Sequence, residues 1–222
     1  MLTEDGAAAD AVWRSLDHAL VEALRLGWEA FQTGNIGVGA VITDTGGAIV
    51  AAGRNRVMEP EPPLGEVAGC SLAHAEMNAL ARIPFRAPRE LTLTTTLQPC
   101  FQCAAAIRMA PIAHLRIAGA DPLWDGCHDF TTINAWLGRR PPVPIEGPRR
   151  DELGLFATLM ARLGPGLIDP VDVALRALGE GPLLDVVADL SEPQHADRLK
   201  GLPVEQAFAA LWPRLRDVVA AT

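Results

Sequence analysis

Apolar residues recur at intervals of three and four over residues 11–32, as the stripe Val12, Leu16, Leu20, Leu24, Trp28 and Phe31. This spacing predicts one amphipathic helix, which we expect Asn35 to end in the left-handed conformation. Two short apolar segments follow, at 38–42 and 48–53. An Asp-Thr-Gly-Gly turn separates them, so the pair predicts a β-hairpin.

Beyond the hairpin, strand and helix patterns alternate. The strand patterns cover 91–97, 114–118 and 143–145, and the helix patterns cover 73–83, 101–109, 128–138 and 153–163. This order predicts an α/β fold, a three-layer α/β/α sandwich around a mixed sheet of about five strands.

The pattern changes after a Gly-Pro-Gly segment at 164–166. Short helical runs then lie between prolines at positions 170, 182, 193, 203 and 213, without a strand pattern. We therefore predict two units, a domain over 1–165 and a helical C-terminal extension over 166–222 that packs on the core.

Charge and hydropathy narrow the range of partners. The 222 residues carry 19 basic and 27 acidic side chains, a net charge of −8. Phosphate contacts dominate nucleic-acid affinity, so an acidic chain favours a small-molecule substrate over nucleic acid. No apolar run reaches the roughly 18 residues of a membrane span, and the acidic start lacks a secretory pattern. We therefore expect a cytoplasmic protein that does not bind membranes.

Two short motifs carry the candidate chemistry: His-Ala-Glu at 74–76 and Pro-Cys-Phe-Gln-Cys at 99–103. One imidazole and two thiolates form a ligand set with which zinc keeps a fourth position for water in catalytic sites. The spacing of Cys100 and Cys103 puts both sulfurs on one helix face. Glu76 lies two residues from a ligand, where it can carry a proton between water and a substrate nitrogen.

These motifs together resemble the zinc signature of the cytidine/deoxycytidylate deaminase-like superfamily. The resemblance covers roughly residues 9–165 and is nearest to the branch of tRNA adenosine, guanine and cytosine deaminases. The segments that carry it are Val-Gly-Ala-Val-Ile at 38–42, Ala-Ala-Gly-Arg-Asn at 51–55, His-Ala-Glu-Met-Asn-Ala-Leu at 74–80 and Val-Pro-Ile-Glu-Gly at 143–147.

The resemblance implies a function for the 1–165 unit, that of a zinc-dependent deaminase domain. His74, Cys100 and Cys103 would hold Zn²⁺, and Glu76 would act as general acid and base. The implied reaction is hydrolytic release of ammonia from an amino-substituted nucleobase, nucleoside or related small heterocycle. Enzymes of this branch usually dimerise, so the resemblance also implies a homodimer.

Five further positions are implied to contact the substrate. The side chain of Asn55, the backbone N–H of Ala75 and the backbone carbonyl of Leu97 would meet the ring or the leaving ammonia. Trp124 and Asp125 would border the pocket, with a solvated surface loop as the alternative for them.

Two alternatives stay open. A tRNA adenosine deaminase would share the motifs. A non-catalytic, zinc-stabilised binding module would result if Cys70 were a fourth ligand and closed the site.

The chain also departs from the family pattern, with Gln98 where Glu is usual and with residues 69–73 where a short Asp-Pro-Thr-Ala segment is usual. These departures leave the substrate open. Cys127 fits a small buried apolar residue.

Overall fold

A mixed sheet of five strands lies at the centre of the computed structural model, which describes residues 4–164 and 170–221. The spatial order is β2-β1-β3-β4-β5, with β1 antiparallel to β2 and β3, and with β3, β4 and β5 parallel. The strands are β1 (Gly39–Thr43), β2 (Ile49–Arg54), β3 (Leu91–Leu97), β4 (Ile112–Gly119) and β5 (Ile145–Glu146).

Helices cover both faces of the sheet. The first six are α1 (Glu4–Ser15), α2 (His18–Gln32), α3 (Ala75–Leu80), α4 (Phe101–Met109), α5 (Ala135–Gly138) and α6 (Glu152–Arg162). Alternate residues of a strand face opposite sides. In β1, Val41 packs with α2, whereas Ala40 and Ile42 lie in the cluster that contains α3 and α4. The predicted α/β/α sandwich is therefore confirmed.

The single helix predicted over 11–32 is wrong, because Asp17 divides it. The Asp17 carboxylate accepts the backbone N–H of Leu20 at 3.0 Å and so caps the start of α2. The prediction for Asn35 is wrong as well. Gly34 has the positive φ of 81° that follows the helix, while Asn35 is fully buried and its side chain binds the loop that follows β2.

The helix predicted over 128–138 is reduced to the single turn of α5. Asp129 accepts the backbone N–H of Thr131, and Asn134 accepts the N–H groups of Trp136 and Leu137. Such side-chain acceptors compete with helical hydrogen bonds, so residues before 135 form turns instead.

Four more helices follow: α7 (Pro170–Leu178), α8 (Pro182–Leu190), α9 (Pro193–Lys200) and α10 (Val204–Ala221). Prolines begin α7, α8 and α9, where a missing N–H costs little. The prediction of a break at Pro213 is wrong, because α10 continues through it and buries Trp212 and Leu215 on either side. The predicted boundary at 165/166 lies outside the described residues. None of the helices described is both long and apolar enough to cross a membrane.

The C-terminal helices pack on the outer side of α2 and α6 and share one apolar cluster with them. Phe208 of α10 lies edge-on to Phe156 of α6, with ring centroids 5.3 Å apart, and also contacts Trp13 of α1. The indole N–H of Trp28 donates to the carbonyl of Leu202 at 2.8 Å. The C-terminal helices therefore share one core with α2 and α6.

Replacing Phe208 with alanine is expected to lower the free energy of unfolding by about 3–5 kcal/mol, because it removes a fully buried ring from this cluster. The control is Leu175→Ala, which truncates a side chain that is 44% exposed on α7 and should cost much less. Urea denaturation measures both. Equal, small losses would show that α10 does not contribute to the core.

Candidate active site

The two sequence motifs meet beyond the carboxyl ends of the parallel strands β3 and β4, where open α/β sheets generally bind ligands. His74 is the N-cap residue of α3, and Cys100 is the N-cap residue of α4. Neither side chain makes a capping hydrogen bond to its own helix. Both are therefore free to turn toward each other.

Three side chains, which we call the metal triad, have their ligand atoms within 4.8 Å of one another: those of His74, Cys100 and Cys103. The Nδ1 atom of His74 lies 3.5 Å from the Cys100 Sγ and 3.4 Å from the Cys103 Sγ. A tetrahedral zinc with bonds of about 2.0 Å to nitrogen and 2.3 Å to sulfur would separate the nitrogen from each sulfur by about 3.5 Å. The spacing and the donor types therefore fit zinc, with Nδ1 as the histidine ligand.

The two thiols and the imidazole shift one another's pKa values. The hydrogen bond with Cys103, together with one from His74, lowers the pKa of the Cys100 thiol to about 4. The same contact with Cys100, and burial, raise the pKa of Cys103. The hydrogen bond with Cys100 also raises the pKa of His74. A divalent cation would deprotonate both thiols.

Glu76 lies beside the triad and is only 3% exposed. Its Oε2 is 3.4 Å from the Cys103 Sγ, and its Oε1 accepts the Thr95 hydroxyl at 3.4 Å. Burial raises the pKa of this carboxyl. A carboxyl in such a place can hold a proton closer to neutral pH than an exposed one.

Glycine at position 53 lets α3 bring Glu76 close to the sheet. A Cβ atom on Gly53 would lie 2.6 Å from the Ala75 carbonyl oxygen and 2.6 Å from the Ala79 nitrogen, both in the backbone of α3. Any side chain at this position would therefore push α3, and with it His74 and Glu76, away from β2.

A cavity of about 220 Å³ is lined by His74, Cys100 and Glu76. Three of the five predicted substrate contacts line it, namely Asn55, Leu97 and Trp124. The Oδ1 of Asn55 accepts the backbone N–H of Val57 at 3.1 Å, so its amide NH₂ is the group left to offer a ligand. Leu97 ends β3, and its carbonyl accepts the Thr95 hydroxyl at 3.2 Å.

The other two predicted contacts lie farther back. Ala75 is fully buried in the first turn of α3 and is not part of the cavity wall. Asp125 reaches the wall through Gln98, whose Nε2 donates to the Asp125 Oδ1 at 3.1 Å. The Gln98 Oε1 accepts the backbone N–H of Asp121 at 3.2 Å. A glutamate at position 98 would face a second carboxylate, so an amide suits this chain.

The Pro-rich loop after β2 is held in place by ion pairs. Arg54 and Arg56 both contact the Glu59 carboxylate, and Arg56 also contacts Glu66. Burial acts to raise the pKa of Glu59, but the hydrogen bonds from the two arginines outweigh it and lower that pKa. Asn55 lies between these arginines, so the network fixes its position at the cavity.

Sequence reasoning missed two charged residues of the cavity wall, Asp121 and Arg162. Asp121 follows β4, and Arg162 is in the last turn of α6. Burial raises the pKa of Asp121, although Arg162 opposes that effect. The available signal was a polar pair spaced four apart, Thr158 and Arg162, within an otherwise apolar helical run.

The two remaining cysteines lie outside the triad. Cys70 is exposed, and the group of ligand atoms found among the described residues does not include it. Cys127 is half-buried, and its thiol donates to the carbonyl of Pro99 at 3.4 Å.

Comparison with known proteins agrees with this geometry. Residues 14–118 match the family described as the cytidine and deoxycytidylate deaminase zinc-binding region. Over 111 residues the chain is 35% identical to tRNA(Ile)-lysidine synthase from Deinococcus radiodurans. The alignment covers 48% of this chain and only 18% of the synthase.

Solved structures of deaminases are also similar. One comes from work on A-to-I editing by tRNA:A34 deaminases at the wobble position of transfer RNA. It has 27% identity and a TM-score of 0.49, and the match covers 59% of this chain and 97% of the other. Guanine deaminase from Bacillus subtilis has 25% identity and a TM-score of 0.41, over 57% of this chain and 79% of the other.

The fold and the site together define a class: α/β proteins in which one imidazole and two thiols can hold zinc beside a buried carboxyl. Residues 14–118, which include all three clustered ligands, match the deaminase zinc-binding region, so this segment belongs to the cytidine deaminase-like superfamily. The enzymes of this superfamily are hydrolases that act on C–N bonds, and their metal is zinc.

Proposed function

We propose that this chain is a zinc-dependent hydrolytic deaminase that releases ammonia from an amino-substituted nucleobase, nucleoside or related small heterocycle. One observation carries the proposal: Glu76 is buried beside the three ligands, lines the same cavity as His74 and Cys100, and is not itself one of the clustered ligands. A site that served only to stabilise the fold would have no use for this carboxyl.

In this proposal His74, Cys100 and Cys103 hold zinc. Zinc, when bound, supplies an acidified water and Lewis acidity. Glu76 would take one proton from the attacking water and deliver it to the ring nitrogen. It would then take the second proton, from the hydroxyl now on the ring carbon, and deliver it to the amino group, so that the C–N bond breaks, a carbonyl forms and ammonia leaves. The raised pKa of Glu76 suits both halves of this transfer. The amide NH₂ of Asn55 holds the ring, and the carbonyl of Leu97 faces the departing ammonia.

The cavity favours a single ring system. Its volume of about 220 Å³ lies below the roughly 300–1,000 Å³ of pockets that bury drug-sized ligands. Leu97, Leu123 and Trp124 give it apolar walls against which a flat ring can pack.

Deamination of adenosine in tRNA is the second candidate. The 35% identity with part of a protein named tRNA(Ile)-lysidine synthase favours it. The net charge of −8 weighs against it, because a tRNA surface repels an acidic protein. We therefore rank a monomeric substrate first.

An ammonia-release screen tests the proposal. Zinc-loaded protein is assayed with free bases, nucleosides, nucleotides and an anticodon stem-loop RNA, and inosine is measured in the RNA. We expect ammonia from at least one monomeric compound and no inosine at physiological salt. Inosine in the RNA alone would reverse the ranking. Bound zinc without ammonia or inosine from any substrate would favour a binding module.

The proposal includes the domain arrangement and the assembly. The deaminase unit is 1–165, the helical extension is 166–222, and the chain acts as a cytoplasmic homodimer. The resemblance to dimerising deaminases supports the assembly. Sedimentation equilibrium should give twice the chain mass of 23.6 kDa, and a monomer at all concentrations would contradict it.

A further inference from the structure

Arg162 reaches the candidate active site from the C-terminal end of α6. Its side chain is 6% exposed and lines the cavity that also contains His74 and Glu76. An Nη2–Oδ1 distance of 2.5 Å pairs it with Asp121, whose side chain is 4% exposed. The cavity wall therefore holds a buried ion pair in addition to the metal ligands and the carboxyl of Glu76.

The guanidinium of Arg162 has donors to spare. Among the described residues, neither Nε nor Nη2 has a well-directed hydrogen-bond acceptor, although both atoms are buried. The contact with Asp121 is close but not aligned with either N–H bond. A buried donor without an acceptor costs free energy. A ligand that enters the cavity can supply the acceptors.

A purely structural role is already filled by other groups. The Thr158 hydroxyl donates to the Ala120 carbonyl at 3.0 Å, which fastens α6 to the end of β4. Gly119 permits this approach, because a Cβ atom there would lie 2.6 Å from the Thr158 nitrogen. Burying an Arg–Asp pair as a further fastening would bring a desolvation cost that often cancels its attraction.

We propose, on the basis of the proposed function, that Arg162 is a specificity-determining residue for amino-oxo heterocycles. Its Nε–H and Nη2–H groups form one edge of a planar fork. Such an edge matches a carbonyl oxygen beside an unprotonated ring nitrogen, as it does at the O6/N7 edge of guanine. Asp121 holds the fork and balances its charge. A ring that carries an amino group but no carbonyl leaves one donor unmatched.

The test combines protein variants with matched ring pairs in which one member lacks the carbonyl and the ring N–H that accompanies it: guanine with 2-aminopurine, and cytosine with 4-aminopyrimidine. The variants are Arg162→Lys, which keeps the charge but loses the fork, and Arg162→Met. The control is Arg116→Met, which removes an arginine paired with Asp17 away from this cavity. Each zinc-loaded protein is assayed for ammonia release and, by calorimetry, for binding of all four rings.

For the ring pair that the wild-type protein accepts, Arg162→Lys should lower kcat/KM and affinity for the oxo compound by about 10- to 100-fold, the range for hydrogen bonds to charged groups. The same variant should change kcat/KM and affinity for the ring without the carbonyl by about twofold or less, so the preference for the oxo compound is lost. Arg162→Met should do the same, and Arg116→Met should preserve the selectivity. Zinc content and melting temperature confirm that each variant is folded.

Three outcomes would overturn the inference: equal losses on both rings of a pair, unchanged selectivity in both Arg162 variants, or a wild-type protein that binds neither oxo ring. Failure of the proposed function would look different. The wild-type protein would then bind an oxo ring selectively through Arg162 and release no ammonia.

Discussion

Replacing Glu76 with glutamine is expected to abolish turnover and to leave zinc in place. Glu76 is not among the three clustered ligands, so the metal site keeps all its donors. The amide preserves the shape of the side chain beside Thr95 and Cys103 but cannot take or release the proton. General acid–base groups contribute about 10²–10⁴-fold, and this one serves several transfers, so we expect a loss at or above about 10⁴-fold.

For Glu76→Gln we also predict how its stability relative to wild type changes with pH. Burial raises the pKa of Glu76, so the folded state disfavours the carboxylate. In the metal-free wild-type protein, this effect lowers stability as pH rises above the ordinary carboxyl pKa of about 4.3. Glutamine does not titrate. The melting temperature of metal-free Glu76→Gln, relative to wild type, should therefore rise with pH.

Zinc analysis, ammonia release and melting curves on one preparation decide the matter. Substantial turnover in Glu76→Gln would show that another group carries the proton. Loss of zinc from this variant would instead make Glu76 a ligand, contrary to its place outside the triad.

Cys100→Ala is expected to lose zinc and all detectable turnover, whereas Cys70→Ser should keep both. Mutation of a residue that only hydrogen-bonds to a metal ligand already lowers metal affinity by about 10- to 100-fold. Removal of a ligand itself should lower the affinity further. Cys70 is exposed and lies outside the cluster of ligand atoms. The two variants each remove one thiol, so they form a matched pair.

Metal content per chain after dialysis against a chelator measures this difference. Wild type and Cys70→Ser should retain about one zinc. If Cys70→Ser lost zinc and unfolded while Glu76→Gln changed neither zinc content nor stability, the site would be a closed structural one. Full zinc occupancy in Cys100→Ala would remove Cys100 from the ligand set.

The parts of the molecule that the sequence predicted well are those with local signals. β3 and α4 have the predicted bounds, because Pro99 and Pro111 punctuate that segment. The metal triad was predictable since its residue types and spacing are restricted by zinc chemistry. The prediction of one helix over 11–32 failed because Asp17 caps a new helix, while the apolar residues keep their spacing of three and four across it.

The remaining parts depend on contacts between distant segments. Arg162 is 41 residues beyond Asp121, its ion-pair partner, and their meeting requires α6 to cross the end of β4 at Gly119. The continuation of α10 through Pro213 depends on the buried surface that Trp212 and Leu215 find on the rest of the protein. Intrinsic propensity is a weak guide where tertiary packing overrides it.

Helix α6 contacts both the cavity and the C-terminal helices. Its end carries Arg162 to the cavity, and Phe156 on the same helix packs against Phe208 of α10. Packed elements transmit displacement because cores have few voids. We therefore expect a change of side-chain volume in α10 to shift the Arg162 guanidinium at the cavity without altering His74, Cys100 or Cys103. Under the proposed role of Arg162, evolution could change the substrate preference through substitutions in α10, far from the zinc ligands, and leave the zinc site itself unchanged.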